Sequence, residues 1–375
     1  MMIDRHTGRM RPGRRRLLQG AAALTALGLG LPQVQAQRRT ELILGGGGYV
    51  DPANGARKWV FAAVDLASGH VRRTDVSFFP HGIAIHPQSR ERLFVFEKIG
   101  AGACEINLST MEVVRPIPLQ ESHAFYGHGA VSADGTLLYS TETRALDGSG
   151  VIAVRSTATL EYIGEFPSHG DHPHDCRLID GGRVMVVTNG GGTEASGHHA
   201  SLAYVDVKTR RLLRRFDMPG ESFNAGHLAV AGETAVVVSA PRRGLPNDRS
   251  GAVSVRSPGG GLVTMTRPAE VAARMQGESL SVAVHASGGL FGVTHPDGNM
   301  VTFWTLRRPR LLKVLELPRP RGIALTLDRS RFIISYGPQT NLVQVPVGSL
   351  VPDEATRVGD TYLGGSHIVN WTAEG

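Results

Sequence analysis

One pattern returns along most of this chain and restricts what it can fold into. A short apolar stretch, a tight polar turn and a second apolar stretch recur at intervals of 41 to 53 residues. The segments read PHGIAIHP from Pro80, GHGAVSADG from Gly127, PHDCRLIDG from Pro173, GHLAVAGE from Gly226, LSVAVHASGG from Leu280, RGIALTLDRS from Arg321 and SHIVNWTA from Ser366. Five are anchored by a histidine: His81, His128, His174, His227 and His367. Leu280 and Arg321 take the corresponding places in the other two. Repeats of this length mark four-stranded propeller blades.

The interior of each repeat agrees. After the anchor stretch come second strands such as TLLYST and RVMVVTN. Third strands such as SLAYVDV follow, then more polar fourth strands such as RLLRRFDMP. Alternation with turns about every ten residues is the strand signature. Only a short stretch near Ala269–Met275 reads as helix. The count closes at seven. The last anchor strand has nothing after it, and three strands, from Glu41, Lys58 and His70, precede the first anchor. Pairing the C-terminal strand with the N-terminal ones closes the ring and removes its open edges. The expected fold is an all-β, seven-bladed propeller formed as one domain by residues 37–375.

Residues 1–36 read differently. Arg14, Arg15 and Arg16 precede Leu17 and Leu18, and a Gly/Ala/Leu run leads to a small-residue cleavage site at Val34-Gln35-Ala36. This is the pattern of a twin-arginine export signal and implies a periplasmic protein. The segment also carries most of the net charge of +7. Its six arginines and one acid account for +5, leaving about +2 on the rest. That balance gives no argument for nucleic-acid binding. No later segment has the apolar length of a transmembrane helix. The two cysteines, Cys104 and Cys176, map to non-neighbouring blades, beyond disulfide reach. They are expected to be free, buried thiols.

In a propeller the anchor positions face the central channel, so the five histidines are expected around one axis at one depth. They would stand in a solvent-filled mouth, with Arg321 among them and Leu280 opposite a gap. Imidazole is the commonest transition-metal side-chain ligand, and three nitrogens about 2 Å from one ion make a site. His81, His128, His174, His227 and His367 are therefore the candidate metal ligands. Asp175, in His172-Pro173-His174-Asp175, is a candidate supporting carboxylate or nearby ligand. Arg321 is a candidate cofactor-binding residue, since with protonated histidines it would attract an anion. A hydrated structural ring is the alternative without a ligand. Segments 45–58, 141–150, 188–199 and 239–251 read as long loops on the same face. His123, His172, His198, His199 and His295 belong to that face, as do the acids Glu121, Glu142, Glu194 and Glu278. His86 and His285, at the far ends of anchor strands, read as turn or surface histidines. The glycine runs at 45–48 and 190–192 lack a phosphate loop's lysine and strand–helix setting.

The signal at Arg14-Arg15, GGGGY at 45–49, FFPHGIAIHP at 78–87, GHGAVSADG at 127–135, HPHD at 172–175 and GSHIVNW at 365–371 carry a resemblance. The chain resembles a family of twin-arginine-exported, seven-bladed propellers of Gram-negative bacteria with no settled activity. Its members are typically encoded beside imelysin-like, iron-regulated periplasmic proteins and a dihaem-peroxidase-like protein. The resemblance implies a role in periplasmic metal handling, above all of iron, with those neighbours as partners. A more distant similarity is to the propeller of nitrous oxide reductase, where channel histidines hold copper.

Three functions follow as expectations. The first is a propeller that binds a transition metal, iron or copper, and passes it between partners. The second is an interaction scaffold using the loop face. The third is a metal-dependent redox or hydrolytic enzyme, for which the sequence shows neither an electron route nor the carboxylate-rich anchors of a calcium site.

Overall fold

The computed structural model describes residues 40–193 and 196–372. The expected export segment, 1–36, lies outside the described residues. Seven four-stranded antiparallel sheets form the ring. Their inner strands are Pro80–Ile85, His123–Val131, Pro173–Ile179, Leu228–Ala231, Val282–His285, Pro320–Leu325 and Ile368–Thr372. We number blades 1 to 7 in that order. Six blades run inner to outer through consecutive strands, as in blade 3 from Pro173–Ile179 to Arg211–Asp217. Blade 7 is the closure expected from sequence. Ile368–Thr372 pairs with Glu41–Val50, with Leu42 opposite Trp371 and Leu44 opposite Val369. Arg57–Asp65 and Val71–Val76 complete it.

Burial explains the strand pattern. Second and third strands are covered on both sides by neighbouring blades, so they read as near-continuous apolar runs. Every residue of Val184–Asn189 and of Thr234–Ser239 is buried. The outermost strand of blade 3, Arg211–Asp217, is largely exposed and correspondingly charged. Each pair of adjacent blades shares one apolar cluster. Leu42 and Phe61 of blade 7 meet Leu93 and Ile106 of blade 1. Ile43 and Val64, on the opposite face of blade 7, meet Ile333 and Leu342 of blade 6. Ala269–Ala272 is a single helical turn. Cys104 and Cys176 are both free and buried, as expected.

Two segments expected to be loops are mostly strand. Residues 45–50 and 57–58 fall in Glu41–Val50 and Arg57–Asp65, and residues 141–144 and 149–150 in Leu137–Arg144 and Ser149–Ser156. The glycines at 45–48 had suggested a loop, but they serve a close crossing. A Cβ added at Gly47 would stand 1.8 Å from the Tyr362 carbonyl oxygen. The long connections that remain follow Asn189 and Ser239.

Candidate metal centre

In blades 2, 3 and 5 the inner strand is tied to its own blade and to the next by a threonine hydroxyl on the second strand. Thr141 Oγ1 accepts from the His128 amide at 3.1 Å and donates to the His174 carbonyl at 3.3 Å. Thr188 Oγ1 accepts from the Asp175 amide at 3.0 Å and donates to the Gly226 carbonyl at 2.5 Å. Thr294 accepts from the Ser281 amide at 3.0 Å and reaches the Arg321 carbonyl at 2.6 Å. These clamps set the start of the inner strands that they hold. Sequence reasoning missed them, although a threonine recurs near the end of YSTETR, VVTNGG and GVTHPD.

The clamps correct one expectation. The five histidines do not share one ladder position. The amide held by the clamp belongs to His128 in blade 2 but to Asp175, one residue past His174, in blade 3. Ladder irregularities between Pro80 and Gly82, between Phe125 and Gly129 and between Pro173 and Cys176 lie beside His81, His128 and His174. A bulge inserts a residue and re-aims side chains. Imidazoles from adjacent positions thereby reach one place.

That place is a packed knot. Ring centroids lie 5.0 Å apart for His81–His128, 5.1 Å for His81–His174, 4.5 Å for His174–His227 and 3.8 Å for His227–His367. His367 is also 4.7 Å from His128 and 5.3 Å from His81. Ligand atoms of His81, His128, His174 and His227 all lie within 4.8 Å of one another. The rings are between 1% and 9% exposed, which corrects the expectation of a solvent-filled mouth. Close approach also needs Gly127, at φ +116°. A Cβ there would sit 3.0 Å from His81 Cδ2 and 3.3 Å from His174 Cε1.

A hydrogen bond selects the His227 tautomer. His227 Nδ1 donates to the Leu280 carbonyl, so its Nε2 carries a lone pair. His174 Nε2 faces the cluster beside it, as donor or acceptor according to its tautomer. The two Nε2 atoms are 2.7 Å apart, and His81 Nε2 lies 3.3 and 3.1 Å from them. His128 Nδ1 is 3.5 Å from Asp175 Oδ1, and its Nε2 has no partner among the described residues. A buried carboxylate behind an imidazole is a recurrent support for metal ligands. Asp175 is itself held by the Leu228 amide at 3.1 Å.

Burial dominates the protonation state. It pushes His81, His128, His227 and His367 well below the ordinary imidazole range, and His174 down to about 3. Neighbouring imidazoles and Lys98 act in the same direction. Below pH 6.5 the unfolded chain takes up protons that the folded cluster refuses, so stability falls as pH falls from about 6.5 toward 3. For metal-free protein the urea midpoint at pH 5 is expected to lie clearly below that at pH 7.5. Equal midpoints would contradict a neutral, buried cluster.

Two pockets meet at the knot. One, of about 190 Å³, opens among the loops and is lined by His174, His227, Leu280, Tyr126, Lys98 and Arg243, among others. A smaller one, of about 60 Å³, touches His128, His227 and His367 beside Leu228 and Ile368. Leu280 lines the larger pocket and lends its carbonyl to His227. Arg321 lines neither pocket. Its Nε donates to the Gly364 carbonyl at 3.2 Å, and Nη1 faces Glu278 at 3.4 Å.

The other histidines are engaged elsewhere. His172 lines the larger pocket. His123 binds Glu142 at 2.9 Å, His198 pairs with Asp171, and His199 with Glu221 at 3.0 Å. His295 is buried within blade 5 between Ser279 and Thr302, at 3.1 and 2.8 Å. His86 and His285 cap turns, as expected. His86 Nδ1 accepts from the Ser89 amide at 3.0 Å, and His285 Nδ1 from the Gly288 amide at 2.7 Å. Glu194 lies outside the described residues.

Comparison with known proteins gives a fold and a family. The propeller is similar to Kuenenia stuttgartiensis hydrazine synthase, with TM-score 0.61 and 13% identity over 80% of this chain and 94% of that one. It is similar to a protein from Lactobacillus plantarum, with TM-score 0.60 and 12% identity over 89% and 99%. It is also similar to the β-propeller domain of Myceliophthora thermophila Cps50 (Swd1), with TM-score 0.54 and 11% identity over 88% and 97%. At such identities the likeness concerns the fold alone. No protein of curated function matches the sequence. A family model does match residues 75–357, from blade 7's outer strand to the end of blade 6. The chain belongs to the family described as "Protein of unknown function (DUF1513)".

Proposed function

We propose that this protein is exported to the periplasm and binds a transition-metal ion, iron or copper, through its channel histidines. One observation carries the reading. Three buried imidazoles, His81, His174 and His227, bring their Nε2 atoms within 2.7, 3.1 and 3.3 Å of one another. His227 Nε2 carries a lone pair there, and a cation would take all three nitrogens as ligands at one point. A tetrahedral ion with metal–nitrogen bonds of about 2.0–2.1 Å holds its nitrogens about 3.3 Å apart, close to the spacing here. His81, His174 and His227 fit such an ion through Nε2, and His128 and His367 offer unpartnered Nε2 atoms beside it. Imidazole suits iron, copper, nickel and zinc alike.

The arginine pair at Arg14-Arg15 supports export, and the family resemblance supports iron with imelysin-like or dihaem-peroxidase-like partners. The scaffold reading would favour imidazoles splayed toward a partner; here they face one another. Protein purified from its native compartment is expected to hold about one metal ion per chain and to melt at a higher temperature than after chelation. Sub-stoichiometric metal in native and reconstituted samples, with no change in melting, would sink this reading.

A further inference from the structure

The larger pocket has a charge pattern that the metal reading alone does not explain. Its floor is His174 and His227, and Lys98 and Arg243 stand among its lining residues. Lys98 has no carboxylate partner among the described residues. Arg243 is held from one side only, its Nη1 donating to His172 Nε2 at 2.6 Å. His172 is fixed in turn by its Nδ1, which donates to the Gly191 carbonyl at 3.1 Å. A neutral imidazole thus orients a guanidinium at the pocket and takes none of its charge. Tyr126 packs between the pocket and the knot, with its ring 5.4 Å from His172 and 6.1 Å from His174. Its hydroxyl makes no hydrogen bond among the described residues. The one lining carboxylate, Glu278, faces Arg321.

The ligands add to this imbalance. Five imidazoles bring no negative charge to a divalent ion. The nearest buried carboxylate, Asp175, stands behind His128 and does not line the pocket. A buried dication near two cations is unfavourable unless an anion joins it.

We infer that the pocket takes a small carboxylate anion, which binds the metal from the loop side while Lys98, Arg243 and the Tyr126 hydroxyl hold its other oxygen. The inference rests on the metal reading. It makes the centre open on one side, with a position for an exogenous ligand, unlike a closed structural site. About 190 Å³ suits an anion the size of acetate or oxalate, not a large chelate.

Cobalt(II) serves as the test metal because its visible bands report the ligand set. Protein loaded with cobalt is titrated with acetate, and separately with oxalate. The bands are expected to shift to a saturable end point. In the Lys98→Met/Arg243→Met double variant the apparent Kd should rise at least about tenfold, since two charge-assisted contacts are lost. Cobalt stoichiometry should stay unchanged there, because neither residue is a ligand. Cobalt uptake with bands indifferent to both anions would overturn the inference and leave the metal reading standing. Equal affinity in the double variant would overturn the assignment of these two residues. Failure to take up cobalt would sink the metal reading and this inference together.

Discussion

His227→Ala is expected to weaken metal binding more than any other single change in the knot, by well over about 100-fold. The magnitude follows from position. Changing a supporting group behind a ligand typically costs about 10–100-fold, and His227 is itself at the centre. Its Nε2 lies 2.7 and 3.1 Å from two other imidazole nitrogens, and its ring is the one closest to His367. It also borders both pockets, so its loss joins them and admits water. Competition against a chelator of known affinity measures the loss, and far-ultraviolet circular dichroism checks the fold. His295→Ala is the control. That imidazole is equally buried but binds Ser279 and Thr302 inside blade 5. It should lower stability and leave metal affinity alone. Similar affinity losses in both variants would point to a general loosening of the ring.

Glu142→Leu is expected to give the largest loss of stability, about 3–5 kcal/mol, by leaving Arg155 buried without its counter-charge. Both side chains of that pair are fully buried. Arg155 Nη1 donates to Glu142 Oε1 at 2.6 Å and to Ser140 Oγ at 2.7 Å, and His123 holds the other carboxylate oxygen. Glu142→Leu combined with Arg155→Met should recover much of the loss, because removing both charges leaves neither stranded. Denaturant unfolding of the two single variants and the double variant measures the coupling. A double variant as unstable as the sum of the singles would show that the pair contributes no mutual stabilisation.

The blades were legible because a propeller repeats its burial pattern. Each second strand lies between two neighbours, so VMVVTN or TAVVVS announces itself as an apolar run. Closure by Ile368–Thr372 was legible from a strand deficit at one end and a surplus at the other. The histidines were legible as a set, but their registers were not. A bulge leaves little trace in apolar periodicity, and one lies beside each of His81, His128 and His174, so the three looked equivalent. Packing depth was hidden too. Whether imidazoles ring a wet channel or fill it depends on Gly127 and the threonine clamps, contacts distant in sequence. The Glu142–Arg155 pair lies on neighbouring strands, where no periodic signal links two opposite charges. Lys98 and Arg243 come from different blades and meet only at the pocket.

The histidine knot and the closing seam share one stretch of chain. Four of the five imidazoles belong to blades that precede the closing strand in sequence, but His367 comes immediately before it. Glu41–Gly45 pairs with Ile368–Thr372 in blade 7, so the residue that completes the knot adjoins the strand that seals the ring. An ion shared by His367 and the histidines of blades 1 to 4 would rivet the seam from within. Parting the two terminal strands would then require breaking coordination as well as five residues of β pairing.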